Sequence, residues 1–164
     1  MKYKRVCPRL ACSVSLSLLL LAFMTGAVLA APAITLSAPS GTVGSTLTVS
    51  GTGFTASTTG TVTFGSGSAF ATSYSATSDN TGAFSTSFFV PTVPGGTYTI
   101  LATLGTSAPA SFTVMPVVIL STTSAHVGDL INISGTGFSA SLTASIAYDG
   151  TTITRVTTNT NGRF

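Results

Sequence analysis

Charge is what this sequence most lacks. Charged residues make up 5 % of the 164, where a soluble domain carries roughly 25 %, and glutamate is missing altogether. Of the six cations, Lys2, Lys4, Arg5 and Arg9 fall in the first ten residues. Beyond Ala30 only Arg155 and Arg163 stand against Asp79, Asp129 and Asp149, a net charge of −1. A nucleic-acid partner needs a basic patch that displaces counterions from phosphates; none exists here, and the sequence pI of 9.2 reflects the N-terminus alone. Tryptophan is absent, which removes the side chain on which sugars most often stack. The two cysteines, Cys7 and Cys12, both lie N-terminal to Ala30. The rest of the chain therefore has no disulfide, no thiolate ligand and no thiol nucleophile, and its stability rests on packing and strand pairing. A sandwich of about 80 residues can sustain itself that way.

The same scarcity excludes most catalysis. A catalytic site gathers titratable groups, and past Ala30 the chain offers one histidine, three aspartates, two arginines and three tyrosines. His126 and Asp129 stand where an earlier, similar segment has Thr42 and Ser45, so they read as solvated turn residues. Serines abound with no base to activate them. A calcium site needs several oxygens, usually with two or more carboxylates. Asp79-Asn80 and Asp149-Gly150 read instead as hairpin-turn pairs, and no ligand set for zinc or iron is present. No cofactor, no metal and no enzymatic activity are expected.

What is present begins with a leader. A cationic stretch, Met1 to Arg9, precedes an apolar segment over 10–29, and Val28-Leu29-Ala30 places small residues where a signal peptidase reads. This is the tripartite secretory pattern, with cleavage expected after Ala30. Left uncleaved, the segment approaches the roughly 20 residues that span a bilayer. The order of charges would still place the remainder outside, so a membrane is met only through the leader. The expected location is secreted or extracellular cell surface.

The remainder is organised by an internal repeat. The segment TLSAPSGTVGSTLTVSGTGFTAS from Thr35 aligns without a gap onto ILSTTSAHVGDLINISGTGFSAS from Ile119, 84 residues later. Ser50-Gly51-Thr52-Gly53-Phe54 and Ser134-Gly135-Thr136-Gly137-Phe138 are identical. Further on, Asp79 to Phe84 matches Asn159 to Phe164 at an offset of 80, so the second copy is four residues shorter in between. The parts are a signal peptide over 1–30, a first domain over 33–114 and an incomplete second domain over 117–164.

Within each copy apolar residues alternate with period 2, as in half-buried strands: Leu47 and Val49; Val62 and Phe64; Phe84, Phe88 and Val90; Tyr98, Ile100 and Ala102; Phe112 and Val114. Glycine, proline and Asp-Asn breakers separate them. About seven short strands with turns every ten residues or so predict an antiparallel sandwich. Serine and threonine, 50 of the 134 residues from Ala31 onward, take the solvent-facing positions that charged residues usually hold. Gly51 and Gly53 are expected to allow positive φ or a bulge at a strand end, with Phe54 and Phe138 plugging the end of each sandwich.

The block Pro39-x-Gly41-x-x-Gly44 followed by Leu47-x-Val49-x-Gly51-x-Gly53-Phe54 resembles the opening of an IPT/TIG domain, an immunoglobulin-like fold of bacterial surface proteins. Asn80-Thr81-Gly82-x-Phe84 and Pro94-Gly95-Gly96-Thr97-Tyr98 are similar to the later turns of such repeats. The resemblance covers 33–114 in full and 117–164 in part, and in the second copy Thr123 and Ala125 replace Pro39 and Gly41. It implies an all-β chain of tandem immunoglobulin-like sandwiches with the second repeat truncated. On activity it is nearly silent, because the family includes receptors, adhesins, DNA-binding factors and accessory modules of carbohydrate enzymes.

Two functional expectations follow. The first is a non-catalytic extracellular structural or adhesive module, a stalk or spacer whose partners would be neighbouring repeats, other surface proteins or glycans. The alternative is the accessory, carbohydrate-binding arm of a secreted polysaccharide-acting enzyme whose catalytic domain lies elsewhere. Phe70 and Tyr74, expected on one face of the strand before the Asp79 turn, are the candidate sugar platform. The chain stops where the second copy's strand equivalent to Phe84–Val90 should begin, so a longer repeat protein is expected.

Overall fold

The computed structural model describes residues 30–65 and 67–164; the leader reading falls outside the described residues apart from Ala30. The chain from Ala31 to Phe164 is one compact unit, and its regular structure is all β. The strands are β1 (Ala33–Leu36), β2 (Ser40–Gly41), β3 (Thr46–Thr52), β4 (Thr59–Phe64), β5 (Thr72–Thr77), β6 (Phe84–Phe89), β7 (Gly96–Leu104), β8 (Thr106–Val114), β9 (Val117–Leu120), β10 (Ile133–Thr136), β11 (Thr143–Tyr148) and β12 (Thr151–Thr157).

In the first repeat a three-stranded sheet, β1-β3-β6, faces a five-stranded sheet, β2-β8-β7-β4-β5. The residues that alternate in the sequence are those that meet between the sheets: Leu47, Val49, Val62, Phe64, Phe88, Ile100, Phe112 and Val114 are all buried. Every pairing is antiparallel except a two-residue parallel contact of β2 with β8 (Ser40 opposite Thr113). The chain reaches it by leaving one sheet after β1 and joining the other at β2. On the outward faces hydroxyls pair across neighbouring strands, Thr48 with Ser87 at 2.8 Å, Thr63 with Ser73 at 2.9 Å and Thr59 with Thr77 at 3.1 Å. Such cross-strand pairs take the role that opposite charges play in other sheets.

The second repeat reproduces the first strands in the same register. Ala33 lies opposite Thr52 in the β1–β3 pair, and Val117 opposite Thr136 in the β9–β10 pair, both 84 residues on. The four-residue deletion falls in the next hairpin. The seven-residue link Gly65–Ala71 between β4 and β5 becomes the two-residue link Asp149–Gly150 between β11 and β12. Asp149 (φ 46°) and Gly150 (φ 77°) take the left-handed pair that a tight type I′ hairpin requires. A register shift between Ile146 and Ala147 absorbs the remaining residue. Ser124-Ala125, equivalent to β2, forms no strand; in the first repeat its pairing is with β8, which has no counterpart in the second repeat among the described residues.

Candidate functional site

Both repeats build one end of the fold in the same way, around an arch. Asp79 links β5 to β6, which lie in different sheets, so the Asp79-Asn80 turn is an arch and not the hairpin that its sequence suggests. The Asp79 carboxylate accepts hydrogen bonds from the Thr81 hydroxyl and N–H, both at 2.7 Å, and from the Ala83 N–H at 3.0 Å. Asn159 does the same with its amide oxygen, taking the Asn161 N–H at 2.9 Å and the Arg163 N–H at 3.0 Å. One residue earlier, the buried Ser78 hydroxyl donates to the Thr55 carbonyl at 2.6 Å and accepts the Thr58 N–H at 3.0 Å. Thr158 copies it, donating to the Ser139 carbonyl at 2.7 Å and accepting the Leu142 N–H at 2.9 Å. Ser78 and Thr158 are the buried polar residues of the described chain, and the sequence reading missed them because they look like any other hydroxyl among fifty.

The aromatic plug is duplicated too. Phe54 meets Phe84 edge-on at 5.2 Å between centroids, and Phe138 meets Phe164 at 5.4 Å. The rings lie directly over Gly51 and Gly135. A Cβ at Gly51 would overlap the Phe84 ring and sit 2.7 Å from Phe54; one at Gly135 would overlap Phe164 and sit 2.8 Å from Phe138. The expectation for Gly51 is corrected here: it lies within β3 with no positive φ, and it is glycine because rings cover it. Gly53 (φ 76°) and Gly137 (φ 72°) do take the left-handed conformation.

Asp79 has a consequence for pH. The Thr81 hydroxyl, then the Ala83 and Thr81 N–H groups, hold its carboxyl below the ordinary carboxylate range. A depressed folded-state value means that the stabilisation is present above the unfolded carboxylate's range and is lost as pH falls through the folded value. Thermal melts of the first repeat should therefore shift down below about pH 4. Asp79→Asn, the residue type at Asn159, should flatten that dependence while keeping the arch.

The two candidate sugar-platform residues do not share a strand. Phe70 lies in the turn before β5, not in a strand, while Tyr74 lies in β5 with its ring stacked on Phe88 (4.0 Å, interplanar 7°). Its hydroxyl donates to the Phe89 carbonyl at 3.4 Å, and burial pushes the phenol up. One face of Tyr74 is thus spent in closing the side of the sandwich between β5 and β6, and both Phe70 and Tyr74 are half-buried against the core.

His126 and Asp129 meet across a turn, Nδ1 to Oδ2 at 3.5 Å, with the histidine side chain 99 % exposed. The Asp129 carboxylate accepts the His126 N–H at 2.8 Å. The turn itself is the one made by Thr42 and Ser45, since Asp129 N–H donates to the His126 carbonyl as Ser45 N–H does to Thr42. Among the described residues no three of His, Cys, Asp and Glu come together, and no helix is long and apolar enough to cross a membrane.

An open groove of about 730 Å³ in the second repeat is lined by Leu120, Ile131, Ile133, Ile146, Tyr148 and Val156 among others. By the repeat alignment five of these occupy the places of Leu47, Val49, Val62, Phe64 and Ala76, which are core residues in the first copy. The groove is built from core positions and not from a set of polar groups converging on a ligand. No protein-family model, curated protein or solved structure matches the chain.

Proposed function

We propose that this chain is a non-catalytic extracellular structural or adhesive module made of IPT/TIG-like immunoglobulin-like repeats, acting as a stalk or spacer at the cell surface. The observation that carries this reading is what is duplicated and what is not. The backbone bonds of the arch, the buried hydroxyl, the Phe pair and the glycine beneath it recur, and only the Thr81 hydroxyl bond to Asp79 is without a counterpart. The ionisable residues do not: Asp79 becomes Asn159, Thr42 becomes His126, Ser45 becomes Asp129. Repetition has kept the scaffold and let the chemistry vary, which suits a spacer and ill suits a site. The sheet orders β1-β3-β6 and β2-β8-β7-β4-β5 support the immunoglobulin-like reading, being those of a sandwich whose first strand divides between the two sheets. The secretory leader pattern supports an extracellular location.

The test for catalysis is direct. Purified chain, given polysaccharide, ester and peptide substrates, should show no turnover above that of a heat-unfolded sample. Turnover that persists through repurification and disappears in a His126→Thr, Asp129→Ser double variant would overturn the non-catalytic reading, because these two form the ionisable side-chain pair of the described chain.

A further inference from the structure

Gly95 needs an explanation that the first repeat does not supply. It sits between the buried Pro94 and β7, and its backbone is not left-handed. The nearest atoms that a Cβ there would meet all belong to the second repeat: it would overlap the Gly137 carbonyl oxygen and lie 3.6 Å from the Phe138 carbonyl carbon. Its N–H donates to the Phe138 carbonyl at 2.9 Å. From the other side, a Cβ on Gly162 would come within 3.0 Å of the Pro94 Cα, and one on Gly137 within 2.6 Å of the Met115 carbonyl oxygen. Gly95 thus lets the two repeats meet backbone to backbone, and Gly137 lets the Met115-Pro116 link pass as closely, while Gly162 is already required to be small by the Phe138 carbonyl of its own repeat.

Both partners in this contact are stiff. On the first repeat the turn is held by the Tyr98 hydroxyl, which donates to the Pro94 carbonyl at 2.8 Å, and by Val93, which is fully buried. On the second it is the Gly137-Phe138 corner, tied to the arch by the Phe138 N–H donating to the Gly162 carbonyl at 3.1 Å. The covalent link adds little freedom, since only Met115-Pro116 separates β8 from β9, and proline fixes its own φ and restricts the residue before it. Gly137 is buried here, whereas its counterpart Gly53 is only partly so.

We propose that the Pro94-Gly95 turn and the Gly137-Phe138/Gly162 corner form a turn-in-socket lock that fixes the orientation of successive repeats, so that the pair moves as one rigid body and not as two domains on a swivel. Two domains joined in one chain move relative to each other unless their interface prevents it. Here the restraint comes from close backbone approach, not from a large apolar area. The proposal concerns the junction alone and holds whether or not the chain is a surface spacer.

The test uses spin labels at Ser75→Cys and Thr152→Cys, both exposed, in the full chain with Cys7→Ser and Cys12→Ser, and reads the distance distribution by pulsed electron resonance. The native junction should give one narrow distance. Gly95→Val should broaden it several-fold while leaving the first repeat's unfolding midpoint in place, and Gly95→Ala, whose single added carbon already overlaps the Gly137 oxygen, should broaden it too. Thr92→Val, in the same turn but exposed, should leave it narrow. A broad distribution in the native chain, or a narrow one in both Gly95 variants, would overturn the lock.

Discussion

Gly51→Val is expected to destabilise the first repeat severely. Gly51 lies in β3, the central strand of its sheet, opposite Ile34 on one side and Phe84 on the other. Its φ is compatible with valine, and β-branched residues favour strands, so local propensity would rate the change as harmless. The obstacle is the pair of rings above it. Phe54 and Phe84 are 5 % and 7 % exposed, wedged edge-on, and neither can withdraw without opening the end of the core. Displacing a buried phenylalanine costs about 3–5 kcal/mol, a large part of the 5–15 kcal/mol by which a typical domain is stable. Phe84→Ala alone should destabilise through the cavity it leaves, yet in combination with Gly51→Val it should recover part of the loss, because the valine then fills the space the ring vacates. Urea unfolding of the four forms closes the cycle. Simple additivity of the two losses would show that the rings are not what makes position 51 a glycine.

Phe64→Ala and Tyr148→Ala should differ widely although the repeat alignment makes them the same position. Phe64 is fully buried, with Tyr98 and Phe112 at centroid distances of 5.1 and 6.1 Å, and its truncation should cost about 3–5 kcal/mol. Tyr148 is 76 % exposed and should cost no more than about 0.5 kcal/mol, as at other surface sites. The partners of Phe64 lie on β7 and β8, strands for which the second repeat has no counterpart among the described residues. Equal costs would mean that Tyr148 is buried in solution and that its groove is covered.

Strand positions were legible because the alternation of Leu47 and Val49, Val62 and Phe64, and Ile100 and Ala102 reflects a sheet with one buried face. Phe54 and Phe138 as end plugs were legible for the same reason, as large apolar residues stranded among turn residues. What the sequence hid were relations between distant residues. Gly51 carries no mark that distinguishes a glycine covered by rings from one that turns the chain. Asp79-Asn80 has the composition of a hairpin, and only sheet membership shows that it bridges two sheets. Ser78 and Thr158 are buried hydroxyls in a chain crowded with exposed ones. Phe70 and Tyr74 share a spacing of four residues, which in a continuous strand would place them on one face. The strand begins only at Thr72, and the stacking partner of Tyr74, Phe88, comes from the other sheet.

A scaffold that works outside the cell has to be exported, and mass spectrometry of the chain recovered from intact cells by gentle surface washing and from the medium tests this. A mature N-terminus at Ala31 is expected in those fractions, with the leader gone. Recovery of the chain only from the cell interior, with residues 1–30 still attached, would contradict it.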